Sequence, residues 1–244
     1  MIVAIHQPHF IPWLGYLHRM AQVDLFIVLD HVQFERRNHQ NRAQIRLDGE
    51  ARWLTVPVEQ HSQKELILDK RVDNRDEARP WGRSHFATLR HAYREAGHFG
   101  AYAPALKRIL EARWERLADL DAAMLAFLMD AFSIRTRVVK SSRLAVDGAK
   151  SGLILNLCRA VQADALLAGF GGSRGYLERE EFARHGIDIR HHEFSHPAYR
   201  QCGAAPFIAG LAAVDLLFNA GAQSRALLLA ESPCTYETPL LQQA

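Results

Sequence analysis

A short apolar run, Ile2-Val3-Ala4-Ile5, opens into His6-Gln7-Pro8-His9-Phe10-Ile11-Pro12-Trp13-Leu14-Gly15-Tyr16-Leu17, and this junction constrains the fold more than any other stretch of the chain. The run is short and partly β-branched, as a buried strand is. Two prolines then fix the backbone path and withhold two amide donors. Leu14 to Gln22 follows with helical spacing, Leu14, Leu17 and Ala21 sharing one face. A strand that ends in a rigid turn and leaves as a helix is the opening of an open α/β sheet, where ligands bind beyond the carboxyl ends of the strands.

The turn has its own chemistry. Gly15 lets backbone approach a ligand closely, and the free amides of the helix start suit an anion. His6 and His9 flank the loop with groups whose ordinary pKa lies near neutral, so they are the candidate catalytic acid or base residues. Gln7, Trp13, Gly15 and Tyr16 are candidate substrate contacts, Trp13 as a ring that stacks on a base or sugar.

Alternation of strands and helices continues at both ends of the chain. Asp24 to Asp30 reads as a second buried strand, completing a βαβ unit and hence a parallel pair. Gln44 to Leu47 and Arg52 to Val58 flank Asp48-Gly49, a hairpin signal. From Asp76 to Phe132 the pattern is helical, broken at Pro80, Gly97, Gly100 and Pro104, with an apolar stretch from Trp114 to Phe132. Strands are then expected at Arg137 to Lys140, Ala165 to Ala168 and Ile187 to His191. Helices are expected at Lys150 to Val161 and Ile208 to Asn219, the latter ended by Gly221. The reading is one α/β domain over 1–230 with a mainly parallel, Rossmann-like sheet, a β-hairpin and a helical insertion at 76–132, followed by a frayed tail at 231–244.

Of the 244 residues, 48% are hydrophobic, enough for a sizeable core. A net charge of +3 without a basic tract speaks against nucleic acid and is compatible with a local site for an anionic small molecule. Cys158, Cys202 and Cys234 are few, odd in number and scattered, so a disulfide framework is not expected and a cytoplasmic setting is. No stretch reaches the roughly 20 apolar residues of a membrane span.

Further candidate contacts lie at other strand ends. Glu35 to Arg42 packs arginines, amides and a histidine into one loop, with Asn41 and above all Arg42 as anion binders. Asp30 can orient a histidine or a ligand hydroxyl. Ser141 and Ser142 follow another strand. Gly169 to Tyr176 is a glycine-rich turn after a buried strand, and Gly171, Gly172, Ser173, Arg174 and Tyr176 supply backbone amides, a hydroxyl and guanidinium donors for phosphate. From His191 to Gln201, Tyr199 and Gln201 read as substrate-facing polar groups. The two adjacent histidines, 191 and 192, face opposite sides of a strand and cannot share a metal ion, so no metal site is expected.

Several of these strings in order resemble the WbqC-like protein family: Gln7 to Tyr16, Val32-Gln33-Phe34 with Asn41-Arg42, Trp53 to Val58, Ser141-Ser142, the glycine loop with Tyr176-Leu177, Tyr199-Arg200-Gln201, and Asp215 to Gly221. The resemblance spans nearly the whole chain. It departs at His18, where the family often has lysine, and at Ala213, where serine is common. It implies a place in bacterial O-antigen, surface-polysaccharide or natural-product biosynthesis. Separately, Phe10 to Tyr16 looks like the opening of nucleotidyltransferases. It lacks their two-histidine signature, so the likeness transfers fold only, with His6, His9 and His18 as candidate replacements.

These readings together suggest a transferase that moves an acyl or aminoacyl group onto an amine of a nucleotide-linked sugar or related metabolite, with a nucleotide as the implied ligand and a carrier protein as a candidate bearer of the donor. The alternatives are a Mg²⁺-dependent nucleotidyltransferase-like enzyme and a non-catalytic binding component of a biosynthetic complex.

Overall fold

The computed structural model describes residues 1–62, 64–169 and 177–230. Five parallel strands form one sheet: β1 (Ile2–His6), β2 (Leu25–Val28), β5 (Arg137–Lys140), β6 (Ala165–Ala168) and β7 (Asp188–His191). Their order is β5-β2-β1-β6-β7. Counted along the sheet strands alone this is 3-2-1-4-5, the doubly wound order. The expected mainly parallel, Rossmann-like α/β fold is what the chain adopts.

The side chains explain why this sheet is covered on both faces. Along β1 and β2, Val3, Leu25 and Ile27 turn to one side, where they meet Leu153, Leu157 and Phe182 of the helices α5 (Lys150–Ala160) and α6 (Arg179–Arg184). Ala4, Phe26 and Val28 turn to the other side and join a larger core with Leu14, Leu17 and Met20 of α1 (Leu14–Ala21). This is the period-2 alternation of a strand buried on both faces. Each large apolar side chain so buried contributes roughly 1.5–3 kcal/mol.

The antiparallel excursion is a separate two-stranded ribbon, β3 (Arg42–Leu47) and β4 (Glu50–Thr55). Asp48 and Gly49 at its tip both have positive φ, 52° and 80°, as a type I′ turn requires. The second strand ends short of the expected Val58, because Pro57 has no amide to give the ladder. Three helices then precede β5: α2 (Trp81–Tyr93), α3 (Phe99–Glu111) and α4 (Leu117–Ala131). Pro80 and Gly97 do separate elements, but Gly100 and Pro104, expected as breaks, lie inside α3. Phe99, Ala103, Leu106 and Leu110 bury one face of that helix, and this packing outweighs one lost backbone bond.

One expected helix is much shorter. Instead of Ile208 to Asn219, α7 covers only Val214–Ala220, ending at Gly221 with φ 57°. The preceding backbone is committed elsewhere: Ala212 N–H donates to Gln44 O and Ala213 N–H to Pro12 O, both at 2.8 Å. A short α8 (Ser224–Leu229) closes the described chain. The tail at 231–244 lies outside the described residues. Among the described residues no helix is long and apolar enough to cross a membrane.

Candidate functional site

The site follows from the strand order. β2 and β5 lie on one side of β1, β6 and β7 on the other, so the direction of winding reverses between β1 and β6. The β1–β2 ladder has four residue pairs, whereas β1 and β6 pair only at Ile2–Ala165 and Val3–Leu166. Beyond those pairs the ladder gives way to a crevice of about 500 Å³ at the carboxyl ends. A crevice at such a switch point is where doubly wound folds bind ligands. A larger hollow of about 740 Å³ is lined by residues 73–77, 79–83 and 110–113, with surface pairs such as Asp73–Arg75, and by no residue of the five-stranded sheet.

His6, Trp13, Gly15 and Tyr16, all expected from the sequence, come together on one wall of the crevice. The His6 Nδ1 donates to Gln7 O at 2.9 Å, which leaves Nε2 as the lone-pair nitrogen. Its ring meets Tyr16 edge-on at 4.9 Å. A Cβ on Gly15 would overlap the Trp13 indole ring, so the glycine seats Trp13 in the crevice wall. Trp13 is fixed further by an antiparallel bridge to Ala212 and by Phe194, edge-to-face at 5.6 Å.

The opposite wall comes from residues that sequence reasoning did not select. Arg19, on α1 one turn beyond Gly15, is only 6% exposed and its guanidinium lies against Gly169, with no room for a Cβ between them. His192, Glu193, Phe194 and Ser195 complete the wall. His192 N–H donates to Ala168 O at 2.8 Å, and its Nε2 shares a 2.7 Å hydrogen bond with His18 Nδ1. His191 does turn to the other side of β7, where Arg179 bonds it at 2.6 Å. The one sequence signal for Arg19 was its helical phase with Gly15 and Tyr16.

Electrostatics alters the expected role of the histidines. Burial, then the Arg19 charge, hold His6 down at about 3. Burial, then His18 and Arg19, hold His192 at about 3. Both are therefore neutral near pH 7 and do not titrate there. Burial pushes the Tyr16 hydroxyl up, Arg19 partly opposing it. Among the described residues that line the crevice, Arg19 is thus the fixed cation, flanked by neutral imidazoles.

The remaining candidates are dispersed. His9 is 6% exposed, stacked on His39 at 5.1 Å and 4.7 Å from His6, behind the crevice wall. Gln7 accepts from Gln40 at 2.8 Å, and Asn41 donates to Val56 O at 2.9 Å. Arg42 does not line the crevice: it sits on the hairpin with its guanidinium 4.0 Å over Trp53 and donates to Arg37 O. Asp30 accepts from Ser141 Oγ at 3.0 Å and Ser142 Oγ at 2.7 Å, so these three knit the ends of β2 and β5 together. Tyr199 and Gln201 donate to the buried Asp215, at 2.7 and 2.9 Å, as Tyr93 does at 2.9 Å. Gly171, Gly172, Ser173, Arg174 and Tyr176 lie outside the described residues, in the stretch that follows Gly169.

A parallel sheet in this order, with a crevice lined by Arg19 at its switch point, defines a Rossmann-like α/β protein. More narrowly, the chain belongs to the WbqC-like protein family, whose model matches residues 7–226. It is similar to the uncharacterized protein Rv1507c of Mycobacterium tuberculosis (strain ATCC 25618 / H37Rv), with 30% identity over 226 residues, 91% of this chain and 95% of the relative. No solved structure matches.

Proposed function

We propose that this protein is a group transferase that moves an acyl or aminoacyl unit onto an amine of a nucleotide-linked sugar or related small metabolite, in bacterial surface-glycan or natural-product biosynthesis. The observation that supports it best is the buried Arg19 against Gly169 beside neutral His6 and His192. Arg19 and the start of α1 would hold the substrate's phosphates. His6 Nε2 would take the amine proton as nitrogen attacks the donor carbonyl, the N–C bond forming while the donor's leaving group departs.

A base held at about 3 is weak. A phosphate placed against Arg19 would offset that guanidinium's charge, the second cause after burial, and so raise His6 in part. The family's setting in glycan and natural-product pathways suits this reading.

Nucleotidyl transfer is the second reading, favoured by the same cation at the same strand end. Its Mg²⁺ would need carboxylate oxygens. Among the described lining residues only the exposed Glu193 offers them, so the residues present fit an anion better than a divalent cation.

The test incubates purified protein with an amino-sugar nucleotide and acyl or aminoacyl donors and follows products by mass spectrometry, in wild type and His6→Ala. An N-acylated product that fails to form with His6→Ala supports the transfer. Pyrophosphate release without N-acylation shifts the assignment to nucleotidyl transfer. Full activity of His6→Ala removes that residue from the reaction.

A further inference from the structure

Tyr16 has the crevice on one side and a second cavity on the other. This cavity, of about 140 Å³, lies between α4 and the carboxyl ends of β2 and β5. Alanines 118, 122 and 126, one helical turn apart, form an apolar track along it, and Val28 and Val138 face them from the strands. Ala122, Ala126 and Val138 are exposed, so the track has a mouth to solvent. An engineered apolar cavity of about 150 Å³ holds a benzene molecule, which sets the size of what fits.

Polar groups without partners among the described residues lie directly beneath the inner end of this apolar-walled cavity. Asp121 and Tyr16 are each 1% exposed and His9 is 6% exposed. Both Asp121 carboxyl oxygens, the Tyr16 hydroxyl and His9 Nδ1 have no hydrogen-bond partner among the described residues. Asp121 sits one turn from Leu117 and one turn from Leu125, on the buried stripe of α4, where packing alone would place an apolar residue. Buried polar groups are ordinarily paired, and three unpaired ones on a single cavity point to an absent partner. The other charged groups facing the cavity are engaged: Asp30 with Ser141 and Ser142, and Lys140 with Asp119 at 3.3 Å.

We propose that this cavity is a binding pocket for a small primary amine, whose ammonium is received by Asp121, Tyr16 and His9 and whose apolar body lies along the alanine track of α4. An ammonium has three N–H donors, and the carboxylate, the phenol oxygen and the lone pair of neutral imidazole Nδ1 are three acceptors. An alcohol has one donor and leaves acceptors unmet. A carboxylate or phosphate has no hydrogen to give these acceptors.

Charge balance gives the binding a signature. Burial holds the Asp121 carboxyl well above the usual carboxylate range in the free protein. Seating an ammonium favours the carboxylate and draws that pKa down, so protons pass from Asp121 to solvent as the amine binds. The pocket does not depend on the transferase reading, since the Tyr16 ring separates it from the crevice.

The test is titration calorimetry of n-butylammonium into wild type, Asp121→Asn and Ala126→Leu, each in two buffers of different ionisation enthalpy. Wild type should bind with release of protons, and both variants should bind at least about tenfold more weakly. Ala126→Leu blocks the track from an exposed position, so it decides the matter even where Asp121→Asn folds poorly. Butan-1-ol should release no proton. Pyrophosphate binding in the crevice should be unchanged in both variants, which separates this pocket from the Arg19 site. Equal amine binding in both variants, binding without proton release, or no binding at concentrations on the order of 10 mM overturns the proposal.

Discussion

A Cβ on Gly169 would overlap the Nη1 atom of Arg19, two residues that are 150 positions apart in the chain and together form one corner of the switch-point crevice. Glycine at the end of β6 is what lets a guanidinium lie flat there. The charge of the site therefore depends on a side chain that is missing.

Gly169→Ala should displace that guanidinium and weaken binding of pyrophosphate or a nucleoside diphosphate by about tenfold or more, with unfolding stability changed by only about 1 kcal/mol. Arg19→Gln should lose as much affinity, whereas Arg42→Ala, stacked on Trp53, should stay within about threefold. Titration calorimetry on the three variants checks the ranking. A larger loss at Arg42 than at Arg19 would relocate the anion site to the hairpin.

Acid should destabilise the protein. His6 and His192 are held at about 3 and His18 at about 4, against 6.5 in the unfolded chain. Between about pH 6.5 and about 4 the unfolded state therefore binds more protons, and stability falls as pH is lowered through that window. The raised carboxyls of Asp121 and Asp215 act in the opposite sense, so Asp121→Asn should steepen the loss. Urea midpoints across the window test the slope. Proton NMR of the His6 ring should show no titration from neutral pH down to about pH 5.

Gly15→Ala should drive the Trp13 ring from its seat. An overpacked, well-filled position costs about 1–3 kcal/mol, and here the loss should come with weaker nucleotide binding because Trp13 forms the crevice wall. Calorimetric melting and a nucleotide titration on the same sample read both effects. A stable variant with unchanged affinity would mean that the indole's position is immaterial.

Tyr199→Phe removes one donor from Asp215 and should cost about 1–3 kcal/mol in chemical denaturation while leaving pyrophosphate affinity intact. Asp215→Asn should cost more, because Tyr93, Tyr199 and Gln201 all donate to that carboxylate. Loss of pyrophosphate binding in Tyr199→Phe, at unchanged stability, would return Tyr199 to the binding site.

Much of the fold was written locally. The apolar run Ile2 to Ile5, the proline-fixed turn and the helical phase of Leu14 to Ala21 are short-range properties, and so is the Asp48-Gly49 turn, whose positive φ values few other pairs accept. The candidate site was legible only in part. His6, Trp13 and Tyr16 lie next to the turn that announced them and stay in the crevice. Tyr199 and Gln201 looked equally available, but a polar side chain's sequence neighbourhood does not say whether a buried carboxylate such as Asp215 awaits it.

By itself, then, the sequence determined the parallel alternation of strands and helices, the hairpin and the strand edge that carries the candidate site, because these follow from hydrophobic period and turn chemistry within a few residues. Tertiary structure alone decided that β6 lies beside β1, that Ala212 and Ala213 bond to Gln44 and Pro12 and cut a helix short, and that Arg19 is buried against Gly169. It also left Asp121 beside a cavity without a partner among the described residues. Burial and long-range pairing depend on groups brought together from distant segments, and no local pattern encodes which distant group arrives.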